Sequence, residues 1–133
     1  MKKMFFLMAI FAMTTLSVQA QADAPKAPIF DVVEVMPEYP GGMTAMVNFM
    51  MANMKYPEQA KKQMLQGRTL ISFIVEKDGE ISNREVFQSS HPLLDKEALR
   101  VVGLMPKWKP GRQDGKPVRV RFVIPVSFYM NRD

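Results

Sequence analysis

The sequence predicts an α+β domain in which helices pack on one face of a three-stranded, mainly antiparallel sheet. Three observations predict it. Apolar residues recur at helical spacing from Met43 to Met54 and again from Leu94 to Met105. At 68–75 and 117–129 they alternate, the period of a strand. Asp78-Gly79 marks a hairpin, because both residues tolerate positive φ. Helices and strands in this order favour an α+β layer architecture.

Each element follows from local chemistry. Pro40-Gly41-Gly42 enters the first helix, whose apolar face carries Met46, Phe49, Met50 and Met54. Tyr56 precedes Pro57 and is pushed out of helical geometry. Pro57 then opens a second short helix, with Ala60 and Met64 expected on its buried face and Gly67 as its stop. In 68–75, Thr69, Ile71, Phe73 and Val75 share one face. A two-residue loop at Asp78-Gly79 would set Ile71 opposite Val86 and Phe73 opposite Arg84, but it would leave Ile81 on the wrong face. A bulge near Asn83 or a three-residue loop would cure that. Pro92 opens the third helix, with Leu94, Ala98, Val101 or Val102, and Met105 inside and Pro106 as its end. Lys107–Gly111 and Gln113–Lys116 read as turns. The last strand, 117–129, contains Pro125, which cannot donate to a ladder, so an edge position is expected.

Composition narrows function. The 133 residues fit one domain, and the chain has no cysteine and a single histidine, His91. Thiol chemistry and disulfides are excluded, a multi-histidine zinc site nearly so, and no cofactor or metal is implied. The net charge is +5, with two of the positive charges at Lys2 and Lys3, which is too weak an excess to argue for nucleic acid. No nucleophile with its base, acid–base pair or phosphate loop converges, so no catalytic residues are named and an enzyme is not expected.

Residues 1–20 read as a secretory signal peptide: Lys2 and Lys3, an apolar run of ten from Met4 to Met13, then Val18-Gln19-Ala20 as a cleavage site. The run is about half of the roughly 20 apolar residues that a membrane span needs. The expected location is therefore the periplasm, the alternative being an uncleaved inner-membrane anchor facing it. Residues 21–38 read as an extended linker, with Ile29–Val35 apolar enough to lie along the domain, which is placed at 39–131. The prolines Pro25, Pro28 and Pro37 stiffen that lead-in.

Four constellations bear on function. Ser89, Ser90, His91 and Asp95 look superficially like a triad, but the reading taken is a cap on the helix at Pro92 with Asp95 in its first turn. Met43, Met46, Met50 and Met54 share a helical face, a soft-metal or scaffold surface in one reading and irregular core filling in the preferred one. Lys107, Lys109, Arg112, Lys116, Arg119 and Arg121 surround Trp108, read as a solvated face with Trp108 covering the core edge, the alternative being an anionic partner. The last strand is either a protected edge or an acceptor for an added strand.

At this point the residues resemble a family. Tyr56-Pro57, Gly67-Arg68, Phe73, Val75, Asp78-Gly79, Ser89-Ser90, Leu94-Asp95, Glu97–Arg100, Met105–Gly111, Gly115–Val118 and Ile124–Phe128 are similar to the C-terminal domain of TonB energy transducers. The likeness runs from about Glu38 to Met130. It implies that the last strand pairs with a segment of an outer-membrane receptor, supporting energy-coupled uptake of siderophores, cobalamin or glycans. The residues placed in that contact are Tyr56, Pro57, Val118, Arg119, Val120, Arg121, Phe122, Val123, Ile124 and Val126. It also implies indirect dependence on an ExbB/ExbD-type inner-membrane complex. Homodimerisation by strand exchange is a separate expectation, because unprotected edges pair with each other. The chain departs from the family in having no His before residue 91, a lead-in of about 20 residues that reaches at most about 70 Å, and Arg84 at a usually apolar strand position. Alternatives are a minimal membrane-anchored transducer and a Met-rich metal-binding or scaffold protein.

Overall fold

The computed structural model describes residues 27–130, so the signal-peptide expectation for 1–20 falls outside it. Eight elements run in order: β1 (Ile29–Phe30), α1 (Gly42–Asn53), α2 (Glu58–Lys62), β2 (Gly67–Val75), β3 (Ile81–Gln88), α3 (Pro92–Val102), β4 (Gly111–Gln113) and β5 (Lys116–Phe128). The three long strands β2, β3 and β5 are the expected ones. Two short strands join them: the sheet order is β1-β5-β2-β3, and β4 pairs with β5 as well.

The core lies between the helices and one face of this sheet. Met46 and Met50 of α1, Ala60 of α2, and Leu94, Ala98, Val101 and Val102 of α3 pack on Ile71, Phe73 and Val75 of β2 and Ile124, Val126 and Phe128 of β5. The alternation expected in β2 holds, since Thr69, Ile71, Phe73 and Val75 are all buried. Thr69 is the polar member. Its hydroxyl donates to Asp95 at 2.8 Å, which leaves the Ser90 hydroxyl, 2.7 Å away, as donor to Thr69.

The β2–β3 register uses both devices that the sequence allows. Glu76 N–H donates to the Glu80 carbonyl at 2.8 Å across a three-residue loop, which pairs Val75 with Ile81. Asn83 then adopts φ 50 in a bulge, and beyond it Ile71 stands opposite Val86 as expected. Phe73 faces the bulge and is not paired with Arg84. Arg84 instead donates to the Leu99 carbonyl, placing a cation at the C-terminal end of α3.

Some boundaries differ from expectation. Pro57 caps α2 instead of occupying its first turn, and α2 ends at Lys62, well before Gly67. Leu65 N–H bonds to Ala60 C=O and Met64 N–H to Lys61 C=O, a Schellman closure with Met64 in the left-handed position at φ 56. Met64 is therefore turned out to solvent and is not on the buried face. α3 stops at Val102, ahead of Pro106. The stretch 107–111 is extended, not a turn: Lys109 bridges Glu38, and Trp108 enters the core. Trp108 meets Phe122, Phe73 and Tyr39 with ring centroids 5.2, 5.3 and 5.8 Å away. Gln113 and Lys116 are joined by Asp114 and Gly115, at φ 54 and 77, so the turn expected there is a two-residue hairpin turn.

Residues ahead of α1 pair with the domain. Ile29 and Phe30 run parallel to Arg119 and Val120 of β5, and the chain then turns so that Val35 bridges Arg112. Of the apolar stretch Ile29–Val35, only Ile29–Phe30 forms a strand.

Candidate functional site: the open edge of β5

β5 is neither a plain edge strand nor a central one. On one side β2 pairs with it continuously from Val120 to Phe128. On the other side β1 covers Arg119–Val120, while β4 pairs with Lys116–Val118 beyond the end of β2. From Arg121 to Phe128 no strand among the described residues takes that second side. The edge position expected from Pro125 therefore holds for this portion alone.

The side chains divide by face. Val120, Ile124 and Val126 are buried in the core, and Phe122 is half-buried against Phe73 and Trp108. Arg121 and Val123 point outward and are exposed, with Pro125 and Ser127 beyond them. Val118 is half-buried beneath β4, and Arg119 is buried. Among the named contact residues of β5, Arg121, Phe122 and Val123 border a groove over the sheet that reaches Phe87 of β3, on the β2 side of β5. It has a volume of about 430 Å³ and is lined by Asp31, Met36, Phe87, Arg121, Phe122 and Val123. Phe87 and Met36 give it an apolar wall, 64% and 41% exposed respectively.

Tyr56 and Pro57 stand at the other end of β5. The Tyr56 ring packs edge-on against Phe128 at 5.8 Å, and its hydroxyl donates to the Leu65 carbonyl. Burial raises its phenol above the ordinary value. The preceding turn is braced by α3: Lys55 N–H donates to Glu97 at 2.7 Å, and Arg100 donates to the Asn53 carbonyl at 2.9 Å. Burial acts to raise Glu97, but the Arg100 guanidinium and the Lys55 amide outweigh it and hold the carboxyl below its ordinary range. Along β5 the Tyr56 end and the Val123 groove are about 17 Å apart, at roughly 3.3 Å per residue.

The basic cluster disperses. Arg119 is 6% exposed and forms a two-point pair with Glu76, at 2.7 and 3.2 Å. Arg121 pairs with Asp31 at 3.1 Å, and Lys109 approaches Glu38 at 4.0 Å. Trp108 is in the core and not a surface platform. The alternation of 117–129 sets Arg119 and Arg121 on the same outer face, but no local pattern marks Arg119 as covered by the lead-in.

The remaining constellations are structural. His91 Nδ1 accepts from Leu93 N–H at 3.1 Å as the cap of α3. Asp95 accepts from Ser89, Thr69 and the Ser90 amide. Burial acts to raise its carboxyl, but these bonds, with the His91 amide, bring it below the usual range. The methionine face splits: Met46 and Met50 are core, while Met43 and Met51 face solvent. The soft-metal reading therefore loses two of its four proposed thioethers to packing. Among the described residues no cluster of three or more His, Cys, Asp or Glu could hold a metal ion. No helix there is long and apolar enough to cross a membrane.

Comparison with known proteins agrees with this architecture. Two solution structures of the Helicobacter pylori TonB C-terminal domain share the fold. A shorter fragment is 22% identical with a TM-score of 0.52, covering 68% of this chain and 95% of its own. A longer fragment is 20% identical with a TM-score of 0.53, covering 91% of this chain and 100% of its own. No curated protein sequence matches. The family model described as Gram-negative bacterial TonB protein C-terminal matches residues 52–130, so the chain belongs to the TonB C-terminal domain family.

Proposed function

We propose that this chain is a periplasmic TonB-type binding module that docks an extended segment of an outer-membrane receptor by strand addition along Arg121–Phe128. The observation that carries the reading is the unpartnered side of β5 from Arg121 to Phe128. Unpaired N–H and C=O groups give an incoming backbone its ladder. Membership in the TonB C-terminal family supports a receptor as the partner. Energy for transport would come from inner-membrane partners of the ExbB/ExbD type acting indirectly. Export through residues 1–20 would place the module in the periplasm.

The test is calorimetric titration with extended peptides from receptor N-terminal plug regions, against the wild-type protein and Val123→Asp. Val123 is exposed, so the substitution leaves the core intact while placing a charge on the open portion of β5. Binding should weaken about tenfold, the scale of burying an unpaired polar group. Equal affinity for both proteins would contradict the reading.

A further inference from the structure

Strand β1 sits on the same side of β5 as the proposed docking edge, directly in line with it. Ile29 and Phe30 pair with Arg119 and Val120, and the open portion begins at the next residue, Arg121. Only two residues of β1 pair, so its ladder is short. Two outward-facing arginines hold its ends. Arg119, fixed by Glu76, donates to the Ala27 carbonyl at 2.8 Å just before β1, and Arg121 pairs with Asp31 at 3.1 Å just after it. The first clamp is buried. The second is exposed, with Asp31 and Arg121 side chains 73% and 47% accessible, and Asp31 also lines the groove. An exposed pair of this kind is weak and easily exchanged for another partner.

We propose that β1 is a displaceable strand sharing the docking edge, so that a segment pairing past Arg121 toward Val120 breaks the Asp31–Arg121 contact and releases the lead-in. This rests on the docking reading above and names its regulation. Paired β1 shortens the edge offered to a partner, and a bound partner frees the N-terminal segment. By linkage, anything that loosens β1 strengthens docking, and docking loosens β1 by the same factor.

The test compares the wild-type protein with Asp31→Lys, which sets two cations against each other at the exposed clamp. The probe is an extended peptide from a receptor N-terminal plug region. Far-UV circular dichroism and Trp108 fluorescence confirm that the variant folds. Asp31→Lys should bind the peptide about two- to fivefold more tightly, in line with loss of an exposed pair. In the wild type, peptide should shift the Ile29 and Phe30 amide signals and reduce their hydrogen-exchange protection. Peptide shifts at Arg121–Phe128 with unchanged Ile29 and Phe30 amides, and equal affinity in Asp31→Lys, would overturn the shared-edge proposal while leaving docking in place. Absence of binding by both folded proteins would overturn docking, and the proposal with it.

Discussion

The Trp108 amide donates to the Gly79 carbonyl at 2.8 Å, and a Cβ on Gly79 would lie 2.1 Å from the Trp108 carbonyl oxygen. The contact ties the β2–β3 loop to the residue at the centre of the aromatic core. Gly79 also sits at φ +92, which a side chain rarely adopts. Gly79→Ala should therefore cost roughly 3 kcal/mol or more, from clash and backbone strain together. Urea unfolding measures it, and a loss under about 1 kcal/mol would refute the contact. Gly103→Ala is the contrast. Its Cβ would meet only the Arg84 guanidinium, the far end of a movable side chain, so its cost should stay near 1 kcal/mol, the worth of one hydrogen bond.

Met64 closes α2 from the left-handed region while its side chain is 75% exposed. Met64→Gly removes the steric cost and little packing. The melting temperature should rise, by an amount corresponding to about 1 kcal/mol. A lower melting temperature would mean that the thioether has a packing role absent from this geometry.

Asp95 joins β2, the Ser89-Ser90 turn and α3 through its carboxylate. Its folded-state pKa lies below the ordinary 3.8, so its stabilising effect is complete above that value and is lost as pH falls through the folded-state value. Asp95→Asn should lower stability at pH 7 by about 1 kcal/mol. The deficit should shrink as pH falls below 3.8, where the carboxylate of the unfolded chain takes up its proton first and the native one follows at lower pH. Urea midpoints at both pH values test the sign, and a deficit that grows on acidification would reverse it.

Val120 illustrates what local pattern conveys and what it does not. Alternation along 117–129 correctly put Val120, Ile124, Val126 and Phe128 on the core face. It could not show that Val120 has neighbours on both sides, Val75 and Phe30, because Phe30 arrives from ninety residues earlier in a parallel pairing. A proline at Val120 should therefore unfold the domain and not merely block docking, with loss of the cooperative Trp108 fluorescence transition as the readout. The hairpin was similarly half legible. Asp78-Gly79 located it and the misplaced Ile81 demanded a correction, but loop and bulge both being used depends on contacts with Trp108 and the core. The end of α2 was hidden because a methionine occupies a position that glycine usually marks. The candidate edge was legible as a strand, while its usable portion depended on where β1 lies.

Strand addition at Arg121–Phe128 is tested most directly by an amide chemical-shift titration of the purified protein with an extended receptor-derived peptide. Shifts and new exchange protection should concentrate on Arg121–Phe128, with the outer edge of β3 between Ile81 and Gln88 unmoved. Shifts along that β3 edge instead, or none in a well-dispersed spectrum, would contradict it.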